Sequence, residues 1–314
     1  MRHLQSCLSL PADEYHLHLV NPSEAKRRLA QELSRQVDLA PAVTLYDHVR
    51  GLGAAQIDVA IVATNSDVRL GVFSDLLDAG VRVSVLEKVL FRELSEYEEA
   101  ARLLSAYHAS AWVNCPRRLM PCYRRLKDAI EEMGAEEIEV VGGKWDLGCN
   151  AIHFIDLCAY LLSTSRHQIH EVSLEGVEPA KRPGYLALYG SVSGQFDDVD
   201  GGGETKFKLI SGSKSESGMR ISIRFARGGD LTILEEEDAV LLCGSTEVFD
   251  GCEKRLYYQS ELTKGVVEGL VRERESYLTP FSESRELHVP MVKAFLGALE
   301  GAGELRDNGI CPIT

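Results

Sequence analysis

The chain has 314 residues, of which 45% are hydrophobic and 26% charged, and its formal net charge is −14. This length exceeds what a single hydrophobic core usually serves, so it predicts two domains. The acidic balance excludes nucleic acid as a partner, because proteins that bind a phosphate backbone concentrate Lys and Arg on one surface.

The first third of the chain alternates strands and helices. A helix near residues 2–10 precedes a strand over 15–20, and Ser23 is placed to cap the next helix. The run 57–63 is apolar apart from Asp58 and does not alternate with polar residues, which is typical of a strand buried on both faces of a parallel sheet. The alternation continues with a helix over 68–79, a strand over 81–86, a helix over 94–108 and a strand over 111–114. This order predicts a Rossmann-like, doubly wound parallel sheet with right-handed crossovers, in the α/β class.

Polar residues follow the carboxyl ends of these strands, where ligands bind in such a sheet. Taken singly, each is best explained as an ordinary turn residue. Their occurrence at successive strand ends favours a binding edge instead. They are Asn21, Thr64, Asn65, Glu87, Lys88 and Asn114.

The glycine turn of a dinucleotide-binding sheet is missing from the predicted first unit. That turn, GxGxxG, normally joins the first strand to a helix whose N-terminus holds the pyrophosphate. Nothing of this kind precedes Tyr15, and Gly51 and Gly53 lie before a predicted strand, which indicates a helix end and a loop. We therefore expect the chain to begin inside the first strand–helix unit, as if truncated at its amino end.

The pattern changes after residue 116, where helices over 118–133 and 152–162 flank a strand over 137–141. Strand-like runs separated by turn clusters then predict a mostly antiparallel sheet. These runs cover 168–174, 186–192, 205–210, 220–225, 231–235 and 240–242, and helices over 260–276 and 289–300 follow, the second with Pro290 in its first turn. We predict a Rossmann-like dinucleotide-binding domain over 1–116 and a substrate-binding α+β domain over 117–314.

Cysteine spacing and hydropathy favour a cytoplasmic protein with reduced thiols. The eight cysteines form neither a CxxC pair nor a Cys/His cluster of zinc spacing, so we predict no metal site. The acidic stretch from Asp197 to Gly203 is better explained as a solvated turn than as a metal loop. The start lacks the apolar core of a signal peptide, and no run of about 18 apolar residues predicts a membrane span.

Several segments carry a resemblance to a known family. Residues 58–65 look like a strand ending in a Thr-Pro-Asn-like turn, and 79–83 followed by Glu87-Lys88-Val89 is similar to an AGKHV…EKP signature with valine in place of proline. Residues 118–121 match an RxxP step, 148–156 a G…HxxD helix and 312–314 a frequent family ending. In this order the segments resemble the Gfo/Idh/MocA family of NAD(P)-dependent oxidoreductases over nearly the whole chain.

The resemblance implies that Lys88 is the catalytic lysine and that His153 is the second acid/base group. Asp156, three residues after His153 and on the same helix face, is implied as a substrate contact, and we add Arg118 and Asn150 as substrate-binding candidates. The cofactor-binding candidates are Asn21, Ala63, Thr64, Asn65, Glu87 and Lys88. Because many relatives carry an acidic residue where Asn21 stands, the choice between NAD and NADP is left open.

Hydride transfer from a carbinol carbon needs a group that accepts the hydroxyl proton, and Lys88 and His153 suit that task. Lys88 alone would be an ordinary strand-end lysine, and His153 alone a polar helix residue, but the ordered set favours catalysis. One departure is Cys149, which stands where relatives often carry an aspartate, with Asp146 as a weak substitute.

The leading hypothesis is an oxidoreductase acting on the hydroxyl or keto group of a sugar, polyol or sugar derivative. The alternative is a catalytically silent homologue that has lost dinucleotide binding, and a weaker third option is a cofactor-independent lyase or hydrolase. The family implies a homo-oligomer, a dimer or tetramer, formed through the sheet of the second domain.

Overall fold

The computed structural model describes residues 1–197, 203–212, 218–235, 240–244, 255–305 and 309–314. It is a mixed α/β structure with parallel strands in its first part and a separate, mostly antiparallel sheet in its second part, which confirms the predicted fold class. In the described ranges, no helix has the length and apolar character needed to cross a membrane. The acidic stretch predicted as a solvated turn includes 198–202, which lie outside the described residues.

The first part follows the predicted alternation closely. Ser23 caps its helix as expected, since its hydroxyl accepts the Lys26 N–H at 3.4 Å. The elements are α1 (Arg2–Cys7), β1 (His16–Val20), α2 (Glu24–Arg35), β2 (Ala42–Tyr46), a 3₁₀ turn (Val49–Leu52), β3 (Ala60–Val62), α3 (Ser66–Asp78), β4 (Val83–Leu86), α4 (Leu94–Ala106) and β5 (Ser110–Val113). Strand β2 was not predicted, because it is short, only half-buried and lacks a continuous apolar run.

The parallel strands lie in two sheets rather than one. β1 pairs with β2, and β3 with β4 and then β5, but within the described residues no hydrogen-bonded strand joins β1 to β3. Side chains fill the space between them: Cys7 and Val267 belong to a small apolar cluster against which Leu17 of β1 and Ile61 of β3 pack. Most residues of β1 and β3 are only half-buried, whereas every residue of β4 is buried.

The second part begins with a 3₁₀ turn (Pro116–Leu119). It continues with α5 (Pro121–Met133), β6 (Ala135–Gly143), α6 (Leu147–Leu161), β7 (His167–Pro179), β8 (Leu186–Asp197), β9 (Glu204–Gly212), β10 (Met219–Phe225), β11 (Asp230–Glu235), β12 (Val240–Gly244), α7 (Gln259–Arg272), β13 (Thr279–Pro280) and α8 (Phe281–Gly301). The sheet order is β12-β11-β10-β6-β9-β8-β7, and β6–β9 is its parallel pair among the described strands.

This sheet has one packed and one charged face. α6 and α8 lie against the first face. On the second, Glu137 and Glu139 of β6 stand opposite Lys206 and Lys208 of β9, and Arg224 of β10 lies 3.0 Å from Glu137. The second face therefore carries alternating positive and negative side chains. Formation of a homo-oligomer through this sheet stays a prediction.

The predicted start of the last helix is wrong. α8 begins at Phe281 instead of Val289, so Pro290 lies inside the helix and not in its first turn. The earlier start has a structural cause, because Thr279 and Pro280 pair antiparallel with β5 and place the helix start at that sheet edge. The largest apolar cluster runs from Val49 to Ile313 across residue 116, and the domain division there stays a prediction.

Candidate active site

Lys88 lies two residues after the end of the fully buried strand β4, and its half-buried side chain reaches the first turn of α6. Its Nζ donates to the Cys149 carbonyl oxygen at 2.9 Å and lies 3.0 Å from the Cys149 Sγ. The strand end and the helix are 61 residues apart in sequence, so this contact exists only through the fold. It joins the two segments that the sequence analysis singled out.

His153 lies one helical turn after Cys149 on α6. Its Nδ1 is buried and has no hydrogen-bond partner among the described residues. Burial lowers the pKa of His153 well below its usual value, and the positive charge of Lys88 lowers it further. The imidazole is therefore neutral and keeps a free ring nitrogen at the side of the helix that Lys88 approaches.

Gly148 explains how α6 comes so close to the end of the chain. A Cβ at this position would lie 2.8 Å from the Cγ2 of Ile313, so only glycine fits in this first turn. The tail also accepts a hydrogen bond from the Ser66 hydroxyl to the Ile313 carbonyl at 3.3 Å. The chain end thus lies between the first turns of α3 and α6, a position that the sequence does not reveal.

Arg69 is the main residue that the sequence analysis missed. It is 1% exposed, and its guanidinium donates to the carbonyl oxygens of Thr64, Val89 and Leu90. Burial lowers its pKa to about 10. Arg69 therefore ties the turn after β3 to the loop after β4, which carries Lys88. Its only signal in the sequence is a charged residue on a helix that packs on the sheet.

Glu87 is engaged by residues of distant segments. Its Oε1 lies 2.8 Å from the His3 Nε2 and accepts the Asn114 Nδ2–H at 2.7 Å, and the other ring nitrogen of His3 lies 2.8 Å from the Thr263 hydroxyl. Burial alone would raise the pKa of Glu87, but the His3 and Asn114 hydrogen bonds hold it below its ordinary value. The predicted contact of Glu87 with a cofactor stays a prediction.

The remaining cofactor candidates lie at the ends of β1 and β3. The Asn21 side chain accepts the Ser23 N–H at 3.0 Å and so shapes its own turn. Ala63 and Asn65 are exposed, and the Thr64 hydroxyl oxygen is buried with no partner among the described residues. Of these residues, Thr64 is the one with a buried side-chain oxygen that has no described partner, so its hydroxyl can hydrogen-bond to a ligand.

Two substrate candidates, Asp156 and Arg118, lie in a buried ion-pair network. The Arg118 Nε and Nη2 reach the two Asp156 carboxylate oxygens at 3.0 and 2.9 Å, Nη2 also lies 3.0 Å from Glu283, and the Thr279 hydroxyl donates to Asp156. Asp156 is 1% exposed and Arg118 5%. Burial lowers the pKa of Arg118, but the two carboxylates outweigh this effect and raise it above its ordinary value. This saturation supports a structural role, and the substrate role stays a prediction.

Asn150, the third substrate candidate, donates from its side chain to the Trp145 carbonyl oxygen. It thereby closes the turn that leads into α6. A role in substrate contact is untested.

Neither a family model nor a curated protein sequence matches this chain. Solved structures do match it in fold. Scyllo-inositol dehydrogenase from Lactobacillus casei, with bound NAD(H) and scyllo-inositol, is 14% identical with a TM-score of 0.65, covering 96% of this chain and 94% of that chain. An oxidoreductase from Thermotoga maritima is 14% identical with a TM-score of 0.63, covering 92% and 97%. A super-repressor mutant of Gal80p from Saccharomyces cerevisiae is 15% identical with a TM-score of 0.67, covering 96% and 92%.

At these identities the similarity is one of fold. Apart from Gal80p, these structural neighbours are oxidoreductases of the Gfo/Idh/MocA type, which confirms the fold that the sequence motifs indicated. The roles of individual residues rest on the geometry described above.

Proposed function

We propose that this chain is an oxidoreductase that transfers a hydride between a nicotinamide cofactor and a hydroxyl or keto group of a sugar, polyol or sugar derivative. The observation that carries the proposal is the contact between Lys88 at the end of β4 and the turn of α6 that precedes His153. The fold thus brings a lysine amine to the helix turn before a neutral imidazole, and the charge of Lys88 acts on His153. The nature of the structural neighbours supports the same chemistry.

The two side chains suit complementary tasks. Oxidation of an alcohol removes a hydride from carbon and a proton from oxygen, so a group within hydrogen-bond distance must accept that proton. The neutral His153 has an unpaired ring nitrogen that can accept it, and Lys88 can donate a hydrogen bond to the same oxygen. The nicotinamide ring, when bound, accepts the hydride.

The residues present fit one half of such a cofactor. The buried, unpartnered hydroxyl of Thr64 at the end of β3 offers a hydrogen bond near Lys88, as a site for the nicotinamide half requires. For the pyrophosphate half, the described connections from β1 to α2 and from β3 to α3 run through 21–23 and 63–65, which contain no glycine. A phosphate held there would lack the close backbone approach that glycine allows.

The test is a titration of the purified chain with NADH and NADPH, followed by turnover on a panel of inositols, sugars and polyols. We expect the wild-type chain to bind one nucleotide and to turn over at least one alcohol. We expect Lys88→Met to lower kcat about 10²- to 10³-fold, because it removes a positioned hydrogen-bond donor from the reacting oxygen. The control is Lys26→Met on the exposed face of α2, which should keep wild-type turnover.

Equal turnover by the Lys88→Met and wild-type chains would contradict the proposal. So would a complete lack of nucleotide binding by a folded chain. Comparing NADH with NADPH also decides the cofactor preference, which the half-buried Asn21 leaves open.

A second candidate is a catalytically silent protein that uses the same fold to bind a sugar. Two observations favour it: the glycine-free connections at 21–23 and 63–65, and the presence of a super-repressor mutant of Gal80p among the structural neighbours. Calorimetry with the same sugar panel in the absence of nucleotide separates the two. Sugar binding without nucleotide binding or turnover would favour this candidate.

A further inference from the structure

The Lys88 amine has an unusual pair of partners for a candidate catalytic lysine. Among the residues that the structure describes, it contacts the Cys149 carbonyl oxygen at 2.9 Å and the Cys149 Sγ at 3.0 Å, and no ion pair to a carboxylate is present. The nearby carboxylates are used elsewhere: Glu87 pairs with His3 and Asn114, and Asp146 accepts the Leu188 N–H at 2.9 Å. The direct side-chain partner of the amine is therefore a thiol.

We propose that Cys149 is the positioning residue of this site: its carbonyl oxygen and thiol hold the Lys88 amine against α6. The catalytic consequence rests on the proposed function, whereas the pairing itself can be measured without it. A carboxylate at this distance would favour the ammonium form by direct attraction, while a thiol does so only when it loses its own proton.

The thiol is also set apart from the other cysteines. Cys149 is half-buried, and its Sγ lies 3.0 Å from the Lys88 amine. The other cysteines whose side chains the structure describes are buried, and burial raises the pKa of Cys7 to about 11 and those of Cys158 and Cys311 to about 12. Among the cysteines whose side chains the structure describes, thiol reagents should therefore modify Cys149 first.

Other charged and titratable groups also act on this amine, and the experiment must separate them from Cys149. They come from the loop after β4, the segment after β5, the first turns of α6 and the middle of α8. These groups are Glu87, Cys115, Asp146, His153 and His288. All of them are retained in the variants below, so a change can be assigned to position 149.

The first experiment measures Lys88 directly. The chain is treated briefly with acetic anhydride at a series of pH values, and acetylation of each lysine is quantified by mass spectrometry, since only the uncharged amine reacts. We expect the Lys88 profile of Cys149→Asp to lie about one pH unit above that of Cys149→Ser, because a carboxylate stabilises the ammonium and a hydroxyl carries no charge. The wild-type profile should lie between these two, and the exposed Lys26 should react identically in all three chains. Coinciding Lys88 profiles in Cys149→Asp and Cys149→Ser would overturn the proposal.

The second experiment leaves Cys149 in place, so it does not depend on whether the Cys149 variants fold. Iodoacetamide is added to the native chain, and the Cys149 thiolate displaces iodide to form a sulfur–carbon bond. We expect Cys149 to react at least about tenfold faster than any buried thiol, and about fivefold slower in Lys88→Met than in wild type or Lys26→Met. A Cys149 rate that does not respond to Lys88→Met would also overturn the pairing.

The pH dependence of turnover then separates the two proposals. One outcome is that the Lys88 acetylation profile differs between Cys149→Asp and Cys149→Ser, but the wild-type chain turns over no substrate with either nucleotide. The positioning role then stands and the proposed function fails. If the wild-type chain is active but the acetylation profiles coincide, the positioning role fails. If both hold, the pH profile of kcat should move with the acetylation profile.

Discussion

Helix α6 contributes residues to two polar clusters. The clusters look alike in the sequence, but in the structure they differ in burial and in how many of their hydrogen bonds are made. The lysine cluster, formed by Lys88, Cys149 and His153, is half-buried and contains a ring nitrogen without a described partner. The ion-pair cluster, formed by Arg118, Asp156, Glu283 and Thr279, has its Arg118–Asp156 centre nearly excluded from solvent, and both Asp156 oxygens are paired.

The difference shows how to interpret polar residues on one helix. A buried group whose hydrogen bonds are all made stabilises the fold and has nothing left for a ligand, whereas an unmet donor or acceptor costs free energy unless a ligand or water satisfies it. The ion-pair cluster should therefore control stability and the lysine cluster chemistry. The four predictions below test this division on one scale, the free energy of unfolding, from the largest effect to the smallest.

Arg118→Met should cost about 3–5 kcal/mol, because it leaves the buried Asp156 and the adjacent Glu283 without their cation. Urea unfolding followed by circular dichroism measures the loss. The matched control is Arg102→Met, whose solvent-exposed pair with Glu99 on α4 should leave the free energy of unfolding close to that of wild type. A loss below about 1 kcal/mol for Arg118→Met would remove the distinction between the clusters.

The second prediction concerns His288, a buried residue near the lysine cluster, and the pH dependence that it gives to the free energy of unfolding. Burial, together with the smaller effect of the nearby cations Arg69 and Lys88, lowers its pKa from 6.5 to about 3. The unfolded chain therefore binds this proton more readily than the folded chain. The stability that His288 contributes is present above pH 6.5 and is lost as the pH falls towards 3.

The variant His288→Asn should reduce the fall in unfolding free energy over this acid range by roughly 2–4 kcal/mol relative to wild type. Asparagine keeps a side-chain donor for the Ser284 carbonyl, which the His288 Nδ1 approaches at 2.8 Å. Urea unfolding at successive pH values gives the comparison. His108→Asn, at an exposed position with φ of 48°, is the control and should follow the wild-type curve. Parallel curves for His288→Asn and wild type would contradict the assignment.

Thr279→Val removes one hydrogen bond from the ion-pair cluster without changing its shape. We expect a loss of about 1–2 kcal/mol, because Asp156 keeps Arg118 but loses a buried donor. The control, Thr44→Val in β2, removes a hydroxyl that bonds to the exposed His16 and should change stability by less than about 0.5 kcal/mol. Chemical denaturation distinguishes the two, and equal effects would mean that the ion-pair cluster is not saturated.

Lys88→Met should have the smallest effect on stability, less than about 1 kcal/mol, since methionine keeps the apolar part of a half-buried side chain and no carboxylate loses its partner. The same variant carries the large loss of turnover described above. A stability loss comparable to that of Arg118→Met would instead place Lys88 among the structural residues.

Several features of the fold were predictable because they depend on residues that are close together in the sequence. The valine-rich run before Lys88 predicted β4, and Ser23 predicted the start of α2. Local signals were misleading where a distant segment intervened. The pairing of β13 with β5 starts α8 before Pro290, and the packing of α1 and α7 between β1 and β3 divides the parallel strands into two sheets.

By itself, the sequence determined the order and type of most helices and strands and the two segments that meet at Lys88 and Cys149, because side-chain periodicity and turn residues act over a few neighbours. Only the tertiary structure decided which polar groups are satisfied. Asp156 receives Arg118 and Thr279 from distant parts of the chain, Glu87 receives His3, and the His153 Nδ1 receives no described partner. Hydrogen bonding and desolvation depend on neighbours in space, and these neighbours exist only after the chain has folded.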